Sequence, residues 1–310
     1  MNAQAKKLLE EVGSQLDAGI FPIVKNGGIV MPSDLPRPSH TLGLEKCDVR
    51  RQERPEGKWP AWESWSRRGE SRQWSRKPWQ PWESRPRPRA ASTAAPLVGS
   101  PSSTAYEREL GALQQFYPGV QQWEQDQGIW LLVESGLLPG LRQSALFLVG
   151  VSYSCATVRS WAFWQDPLAA PTWIGPRHTN FPDGSICAFE PADGTWSYGE
   201  PLVALLDLYT VWAVRHLYLH VFEHWPGPQA VHLPYERLLE LNPDEHCGCG
   251  SKNGRYGECC RPSDLARNRM KDAVEFVFWS GGALRSAPEA VERFVREGQG
   301  IEALSKWLEH

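Results

Sequence analysis

The stretch on which the interpretation of this chain depends reads RHTNFPDGSICAFE and spans residues 177–190. Its Pro, Asp, Gly and Ser residues are typical of turns, so an irregular loop is predicted. Within it, Cys187 follows His178 and Asn180. A cysteine is a good nucleophile and a good leaving group, which suits transient acyl carriage, and an amide can donate to a developing oxyanion. Taken alone, the same residues are also compatible with a structural cysteine in a loop.

The residues before this loop predict a helix followed by a small sheet. Residues 106–117 have helical spacing, with Leu110, Leu113 and Phe116 on one face. Strands are predicted at four places, where β-branched or aromatic residues lie between turn formers: residues 121–125, 129–134, 145–152 and 173–174. Strands that follow one another along the chain favour an antiparallel meander.

A long helix is predicted after the loop. Pro201 suits a first helical turn, and the helix should end near His224, before a Pro-Gly-Pro turn. The apolar stretch 201–222 contains Asp207 and Arg215, which favours a buried helix over a membrane span. The fold class predicted is therefore α+β, with an antiparallel meander flanked by helices and a small helical C-terminal module.

In order and spacing, the loop resembles the active-site segment of ubiquitin-conjugating (E2) enzymes. In that family a His-Pro-Asn tripeptide is followed by a Gly-x-Ile-Cys-Leu block and then by Trp-Ser-Pro. The counterparts here are residues 178–180 (His-Thr-Asn), 184–188 (Gly-Ser-Ile-Cys-Ala) and 196–198 (Trp-Ser-Tyr). The order of helix, meander, loop and helix over residues 104–228 is also similar to the family.

This resemblance implies an activity. Cys187 would receive the C-terminus of a ubiquitin-like protein from an E1-like activating enzyme and pass it to an amine of a protein target. Asn180 would stabilise the oxyanion, and His178 would brace the loop. Glu223 and His224 fall where the family has an acidic or polar gate for the incoming amine. For His224 the alternative is an exposed helix C-terminus, where the helix dipole favours histidine.

Three departures from the family pattern indicate a divergent member. Thr179 replaces the family's Pro, Tyr198 replaces the Pro after Trp-Ser, and the spacing from Asn180 to Cys187 is one residue shorter. These features suggest a prokaryotic protein that is similar to members of ubiquitin-like conjugation operons. Several such operons act in antiphage defence, which is what the resemblance implies for this chain.

Four cysteines form a second candidate site. Cys247 and Cys249 are separated by one residue, and Cys259 and Cys260 follow nine residues later across a turn-rich segment. Four thiolates suit a tetrahedral structural Zn²⁺ with no open coordination position. His246 is a spare candidate ligand, and a pair of adjacent disulfides is disfavoured by geometry. The segment resembles the SEC-C zinc motif, which implies a stiff surface for binding a partner.

The remaining regions complete a four-part organisation. Residues 1–49 predict a short helix over 3–17 and a hairpin with strands at 23–24 and 29–30, and residues 229–310 predict the zinc module with helices. Asp264 is expected to cap a helix from Leu265 to about Phe278, and this helix, with two more at 288–296 and 301–309, is expected to form a small cap around the zinc module. Residues 50–103 are rich in Trp, Arg and Pro and poor in aliphatic residues, so a disordered linker is predicted. This linker is either a solvated tether or a basic aromatic arm that binds nucleic acid.

The overall composition excludes several classes of protein. The net charge is −3 and 41% of the residues are hydrophobic, so nothing favours general attraction to membranes or nucleic acid. The first residues are charged where a secretory signal would be apolar, and seven cysteines do not make a paired disulfide framework. We therefore expect a cytoplasmic protein. The alternative to an enzyme is a catalytically inactive variant of this fold that binds a ubiquitin-like protein or nucleic acid as an adaptor.

Overall fold

The computed structural model describes most of the chain outside the predicted linker. The described residues are 1–25, 27–30, 103–138, 141, 143–153, 155–189, 195–231, 233–249, 254–280 and 285–309. Residues 50–102 of the linker predicted at 50–103 lie outside them, and the last residue of that prediction, Ser103, begins a helix instead. The described residues belong to one compact unit.

The N-terminal segment packs against the rest of this unit. Helix α1 (Ala3–Asp17) begins where the Asn2 side chain accepts a hydrogen bond from the Ala5 backbone N–H at 2.8 Å. Its buried face contributes to the main core and lies against the long helix described below. The hairpin of β1 (Ile23–Lys25) and β2 (Gly28–Val30) joins the sheet region through the Ile29 N–H, which donates to the Leu137 carbonyl at 2.7 Å.

The centre of the molecule is a five-stranded antiparallel meander. Its strands follow one another in sequence order: β3 (Gln121–Gln125), β4 (Gly128–Ser135), β5 (Ser144–Ser152), β6 (Thr157–Asp166) and β7 (Ala169–Trp173). The four predicted strands are present, but the sequence analysis missed β6. Side chains on both faces of β6 are buried, so it lacks the alternation of polar and apolar residues that marks a half-exposed strand.

Two helical layers cover the two faces of this sheet. One face carries the main core, formed with α1, α2 (Ser103–Phe116) and α3 (Leu202–Phe222). Within α2 the prediction for Phe116 was wrong, because that ring is exposed and the next residue, Tyr117, is buried instead. Tyr117 donates a hydrogen bond from its hydroxyl to Asp207 of α3 at 3.0 Å.

The opposite face is covered by the last two helices of the chain. Helix α7 (Glu289–Glu297) and a 3-10 helix (Ile301–Trp307) pack with Phe294 and Leu304 against Trp130 and Trp161 of the sheet. They were expected to cap the cysteine cluster, and that expectation was wrong. Their position is decided by apolar side chains on the outer face of β4 and β6, which need a covering layer. The sequence pattern did not indicate which segment of the chain covers them.

Helix α3 runs through the interior. It is the one described helix that is long and apolar enough to cross a membrane, and 61% of its most apolar window is buried inside the molecule. Such burial is typical of the core helix of a soluble protein.

The cysteine cluster lies among three short helices. These are α4 (Pro234–Glu240), α5 (Arg261–Ala266) and α6 (Arg269–Trp279). A single helix starting after an Asp264 cap was predicted, and this was wrong. Asp264 lies inside α5 and is buried, because it bonds to other side chains, and α6 is instead capped by Asn268, whose side chain accepts from Lys271 N–H at 3.2 Å.

Candidate functional site

The two halves of the predicted active-site motif pair with each other. Thr179 and Ile186 form an isolated antiparallel bridge. On one side of it the Cys187 N–H donates to the His178 carbonyl at 3.0 Å, and on the other the Asn180 N–H donates to the Ser185 carbonyl at 2.7 Å. The loop is therefore a miniature two-stranded ladder that fixes Cys187 opposite His178.

The side chain of Asn180 reinforces this ladder beside the cysteine. Its Nδ2 donates to the Ile186 carbonyl at 3.1 Å and to the Ser185 hydroxyl at 3.2 Å. Ile186 in turn donates its backbone N–H to the carbonyl of Ser160 in β6 at 2.7 Å. The structure thus places the amide of Asn180 next to the peptide unit that precedes Cys187.

The tip of the loop is fixed to the sheet by charged and aromatic side chains. Asp183 accepts a hydrogen bond from the Ser185 hydroxyl at 2.8 Å and forms an ion pair with Arg159 of β6 at 3.3 Å. The indole of Trp161 donates to the Asp183 carbonyl at 2.8 Å, and Trp173 donates to the Gly184 carbonyl at 3.2 Å. An irregular loop is rigid here because its backbone groups have partners on β6 and β7.

The bonds and burial of His178 indicate a structural role. Its carbonyl accepts from the Trp212 indole at 2.9 Å, and its Nε2 lies 3.1 Å from the Gln229 amide oxygen. Burial, together with the positive charge of Arg177, holds the pKa of His178 well below its usual range. The imidazole is therefore neutral at neutral pH, so Nε2 carries the proton that Gln229 accepts.

Cys187 lies on an open groove. Cys187 is half-buried, and it lines a groove of about 530 Å³ together with His178 and Asn180. The three residues that the resemblance named for the loop are therefore brought together on one surface that solvent reaches.

The far wall of this groove carries charged residues that the sequence analysis did not single out. Arg285 donates to Glu236 of α4 at 2.9 Å and to the Thr179 carbonyl at 3.3 Å, and it forms an ion pair with Glu240. Its guanidinium lies close enough to Cys187 for their charges to interact, and burial lowers the pKa of Arg285. One guanidinium between two carboxylates leaves this wall with a net negative charge.

Arg215 adds a positive charge to the residues that line the groove. Its guanidinium lies 5.4 Å from the centre of the Phe21 ring and 6.0 Å from that of Trp225. Burial lowers the pKa of Arg215 to about 10, so the side chain is still charged at neutral pH. The lining of the groove therefore carries basic, aromatic and acidic side chains together with Cys187.

The two residues predicted to meet the incoming amine lie elsewhere. Glu223 and His224 are not among the described residues that line the groove. Glu223 is the C-cap of α3 in a left-handed conformation, and its carbonyl accepts from Asn242 at 2.6 Å. His224 lies between two carboxylates, 3.8 Å from Asp17 and 3.5 Å from Asp244. The structure therefore offers Glu236 and Glu240 where the sequence analysis expected Glu223 and His224.

No single sequence signal marks the residues on the far wall. Arg285 follows Thr179 by more than a hundred positions, and Glu236 and Glu240 look like ordinary surface residues of a short helix. Only the packing of α4, and of the segment that precedes α7, against the loop brings them into the groove that Cys187 lines.

The four cysteines converge as predicted. The sulfurs of Cys247, Cys249, Cys259 and Cys260 all lie within 4.8 Å of one another, close enough to bind a metal ion. Cys249 and Cys259 are 3.5 Å apart, and Cys259 and Cys260 are 3.9 Å apart. Four thiolates about 2.3 Å from a tetrahedral ion have sulfurs about 3.8 Å apart, so the donor set fits such an ion. These distances are far too long for disulfide bonds of about 2.05 Å.

The electrostatics of the cluster favour a cation. Burial, with the neighbouring thiols of Cys249 and Cys247, raises the pKa of Cys259 to about 11. Burial raises the pKa of Cys260 as well. Several thiolates this close repel one another strongly, and a bound cation removes that repulsion.

A buried polar network supports the cluster from behind. Arg237 of α4 donates to both carboxylate oxygens of Asp264, at 2.9 and 2.7 Å. The hydroxyl of Tyr256 donates to Asp264 at 3.2 Å, and the Tyr256 ring packs with Cys247 and Cys260. The cysteine loops are thus anchored on α4 and α5 by residues that hold one another in place.

No protein-family model, curated protein or solved structure matches this chain. The case for a function therefore depends on the loop, the groove and the cysteine cluster themselves.

Proposed function

We propose that this protein is a ubiquitin-conjugating-enzyme-like transferase that carries a ubiquitin-like protein as a thioester on Cys187. The observation that supports it most is the pairing of the two motif segments, which brings Asn180 beside a half-buried Cys187 on an open groove. The order of helix α2, antiparallel meander, loop and helix α3 agrees with the fold that the resemblance implies.

The proposed chemistry has two balanced steps. In the first, the Cys187 thiolate attacks the thioester carbonyl carbon on an E1-like activating enzyme, a new carbon–sulfur bond forms, and the activating enzyme's sulfur leaves as a thiolate. In the second, a target amine attacks the Cys187 thioester, an amide bond forms, and the Cys187 sulfur leaves. The amine's surplus proton passes to solvent or to a base.

Residues around the groove have distinct roles in this proposal. Asn180 donates a hydrogen bond to the oxyanion of the second step, and His178 keeps the loop in place while remaining neutral. Glu236 and Glu240 line the same groove, so they draw a cationic lysine side chain of the target towards Cys187. Positioning of the two reactants supplies much of the rate in such a reaction.

The cysteine cluster has a structural role in the same proposal. We assign Zn²⁺ to Cys247, Cys249, Cys259 and Cys260, because four thiolates with no open position are typical of structural zinc. Bound there, zinc stabilises the loops that join α3 to α5. The cytoplasmic location and the antiphage context implied by the resemblance belong to this proposal as well.

The decisive experiment is thioester formation on the full-length chain. The chain is mixed with ATP and with a candidate activating enzyme and ubiquitin-like protein, taken from the neighbouring genes where these encode them. A band shift on a non-reducing gel that is removed by dithiothreitol supports the proposal. With Cys187→Ser, the shift should either disappear or become resistant to dithiothreitol, because an oxyester replaces the thioester. Cys155→Ser, a thiol outside the groove, is the matched control and should behave as the wild type. A sensitive shift that survives Cys187→Ser would refute the proposal.

The surface of α6 favours a second candidate function, a binding adaptor. Met270, Val274, Val277 and Phe278 of this helix are exposed. Exposed apolar patches of this kind often mark protein interaction sites. If the adaptor is correct, the ubiquitin-like protein binds without any thioester, and Val274→Asp weakens binding while Cys187→Ser does not. Binding of nucleic acid through residues 50–102 would instead be salt-dependent and lost on deleting that segment.

A further inference from the structure

Residues 245–249, which contain the first two cysteines of the cluster, also contact the Cys187 loop. The first contact is a buried ion pair. Arg177 donates from NH1 to Glu245 at 3.0 Å and from NH2 to the second carboxylate oxygen, with side chains only 5% and 0% exposed. Arg177 directly precedes His178 of the loop, and Glu245 is two residues from Cys247.

The second contact runs through Gln229. Its amide nitrogen donates to the His246 carbonyl at 2.7 Å, one residue before Cys247. Its amide oxygen accepts from Arg177 at 2.8 Å and lies 3.1 Å from His178 Nε2. One side chain therefore touches both the cysteine loop and the motif histidine.

The third contact is made by the backbone of the groove wall. The Val231 N–H donates to the Gly248 carbonyl at 3.0 Å, and Ala230 forms an antiparallel bridge with Cys249. A Cβ atom on Gly248 would lie 2.5 Å from the Val231 nitrogen, so the two segments touch as closely as backbones can. Ala230 and Val231 both line the groove. The cysteine segment therefore supports the wall as well as the loop.

We propose that metal binding by the four cysteines orders the Cys187 loop, and that Arg177, Gln229 and Glu245 are the positioning residues that transmit this order. The coupling itself needs no enzyme activity, but its consequence for thioester transfer rests on the proposed function.

The physical reason is the burial of Glu245. A carboxylate with no exposed surface is stable only while its partners stay in place. Here the closest partners are Arg177 and the Trp225 N–H, which donates at 2.8 Å, and the side-chain amides of Asn242 and Gln229 donate at 3.4 and 3.5 Å. When the cysteine segment loses its metal and opens, Glu245 moves with it, and Arg177 is left as a buried charge beside His178. The loop must then rearrange until Arg177 reaches water.

The test compares the zinc-loaded full-length chain with the same chain after chelation. The readouts are amide hydrogen exchange and the rate at which iodoacetamide alkylates Cys187, followed peptide by peptide with mass spectrometry. We expect chelation to raise exchange in residues 177–187 and 228–231 and to change the Cys187 alkylation rate at least about fivefold. Strand β5 should stay protected, which shows that the chain is still folded. Increased exchange confined to residues 245–261, with Cys187 alkylated at an unchanged rate, would overturn the proposal.

Variants separate the positioning contact from metal binding. Glu245→Gln keeps an acceptor for the Trp225 N–H but removes the charge pairing, so the loop should loosen at full zinc occupancy. Gln229→Ala removes the contacts of a half-buried, uncharged side chain, so it should loosen the loop less than Glu245→Gln does. The matched control is Asp264→Asn, which breaks a second buried ion pair, the one between Arg237 and Asp264. It should weaken zinc binding but leave residues 177–187 protected once zinc is saturating. Equal loosening by Asp264→Asn and Glu245→Gln under saturating zinc would contradict the assigned contacts.

Failure of this coupling can be distinguished from failure of the proposed function. A chain that charges Cys187 at the same rate with and without zinc, and shows no change in loop exchange, retains the transferase and loses the coupling. A chain that never charges Cys187 but shows coupled exchange retains the coupling alone.

Discussion

The amide of Asn180 is already fully engaged within the loop. An amide nitrogen carries two hydrogens, and both are engaged, by the Ser185 hydroxyl and the Ile186 carbonyl. Stabilising an oxyanion on the Cys187 thioester therefore requires one of these bonds to be exchanged. The 3.2 Å bond to Ser185 is the longer, and Ser185 keeps a second partner in Asp183, so it is the one that can be released at lower cost.

Substitution of Asn180 should affect the second step more than the first. We expect Asn180→Ala to slow discharge of the thioester to free lysine by about 10²–10³-fold, the usual cost of removing one oxyanion donor. Charging of Cys187 should fall much less. Single-turnover charging and discharge, measured separately, check this prediction.

Ser185→Ala is the control for the structural share of this effect. It removes one loop bond of Asn180 and leaves the amide itself in place. A discharge rate as low as that of Asn180→Ala would show that Asn180 acts only by holding the loop.

His216 makes the stability of the protein depend on pH. The ring is buried against Trp212 and Trp225, and burial, with the nearby charge of Arg177, lowers the pKa of His216 to about 3. Its unfolded value is about 6.5, so the unfolded chain binds the proton more readily than the folded one. The neutral folded form is therefore fully stable above about pH 6.5 and loses stability as the pH falls towards 3.

We expect this residue to remove about 2 kcal/mol of folding free energy between pH 7 and pH 5. Urea unfolding of the wild type and of His216→Gln at both pH values measures it, because the variant lacks this contribution to the pH dependence. His220→Gln, one turn further on the same helix at an exposed position, is the control for the substitution itself. Equal pH dependence of wild type and His216→Gln would contradict the assignment.

At the scale of single elements, the contact between α1 and α3 depends on one glycine. A Cβ atom on Gly13 of α1 would lie 2.0 Å from the ring of Tyr218 in α3. The two helices can approach this closely only because the side chain is absent. The docking of the N-terminal segment on α3 therefore requires a glycine at position 13.

Two glycine-to-alanine substitutions, which we expect to change the stability in opposite directions, test this docking. Gly111 of α2 has no atom within 4 Å of the position of its Cβ, so Gly111→Ala should stabilise the protein by up to about 1 kcal/mol through helix propensity. Gly13→Ala gains the same propensity but forces Tyr218 aside, and we expect a net loss of about 1–2 kcal/mol. Thermal or urea unfolding of the two variants compares them. Stabilisation by Gly13→Ala would show that α1 does not pack on α3 in solution.

The elements that were hardest to predict are those whose position depends on contacts with other parts of the fold on both of their sides. The hairpin and helix α1 follow from local pattern and were predicted with the correct residues. Strand β6 was missed because Ser160, Trp161, Ala162 and Phe163 are all buried, which hides the period of two. The single helix expected after Asp264 is two helices, because Asp264 bonds to Arg237 and Tyr256 instead of capping. Local residue types do not contain that information.

At the scale of the whole molecule, the metal site should stabilise more than its own loops. We expect the purified chain to bind one zinc ion and chelation to lower its unfolding temperature, because ligands that bind only the folded state stabilise it. Affinity should fall at lower pH, since thiols must lose protons to bind. Metal stoichiometry and thermal unfolding measure both effects. Cys249→Ser should reproduce the effect of chelation, whereas Cys155→Ser should not; retention of zinc by Cys249→Ser would contradict the assigned ligands.

The sequence by itself determined the local chemistry: a thiol in a turn-rich loop, an amide and an imidazole at nearby positions, and four cysteines at chelating spacing. These features depend on residue type and on separations along the chain that are short enough for a loop to bring the residues together. The tertiary structure alone decided that Glu236, Glu240 and Arg285 face Cys187, that Glu223 and His224 do not, and that Glu245 joins the cysteine cluster to the loop. Such contacts join residues up to about a hundred positions apart and depend on which buried charges and apolar faces find partners, which no local pattern specifies.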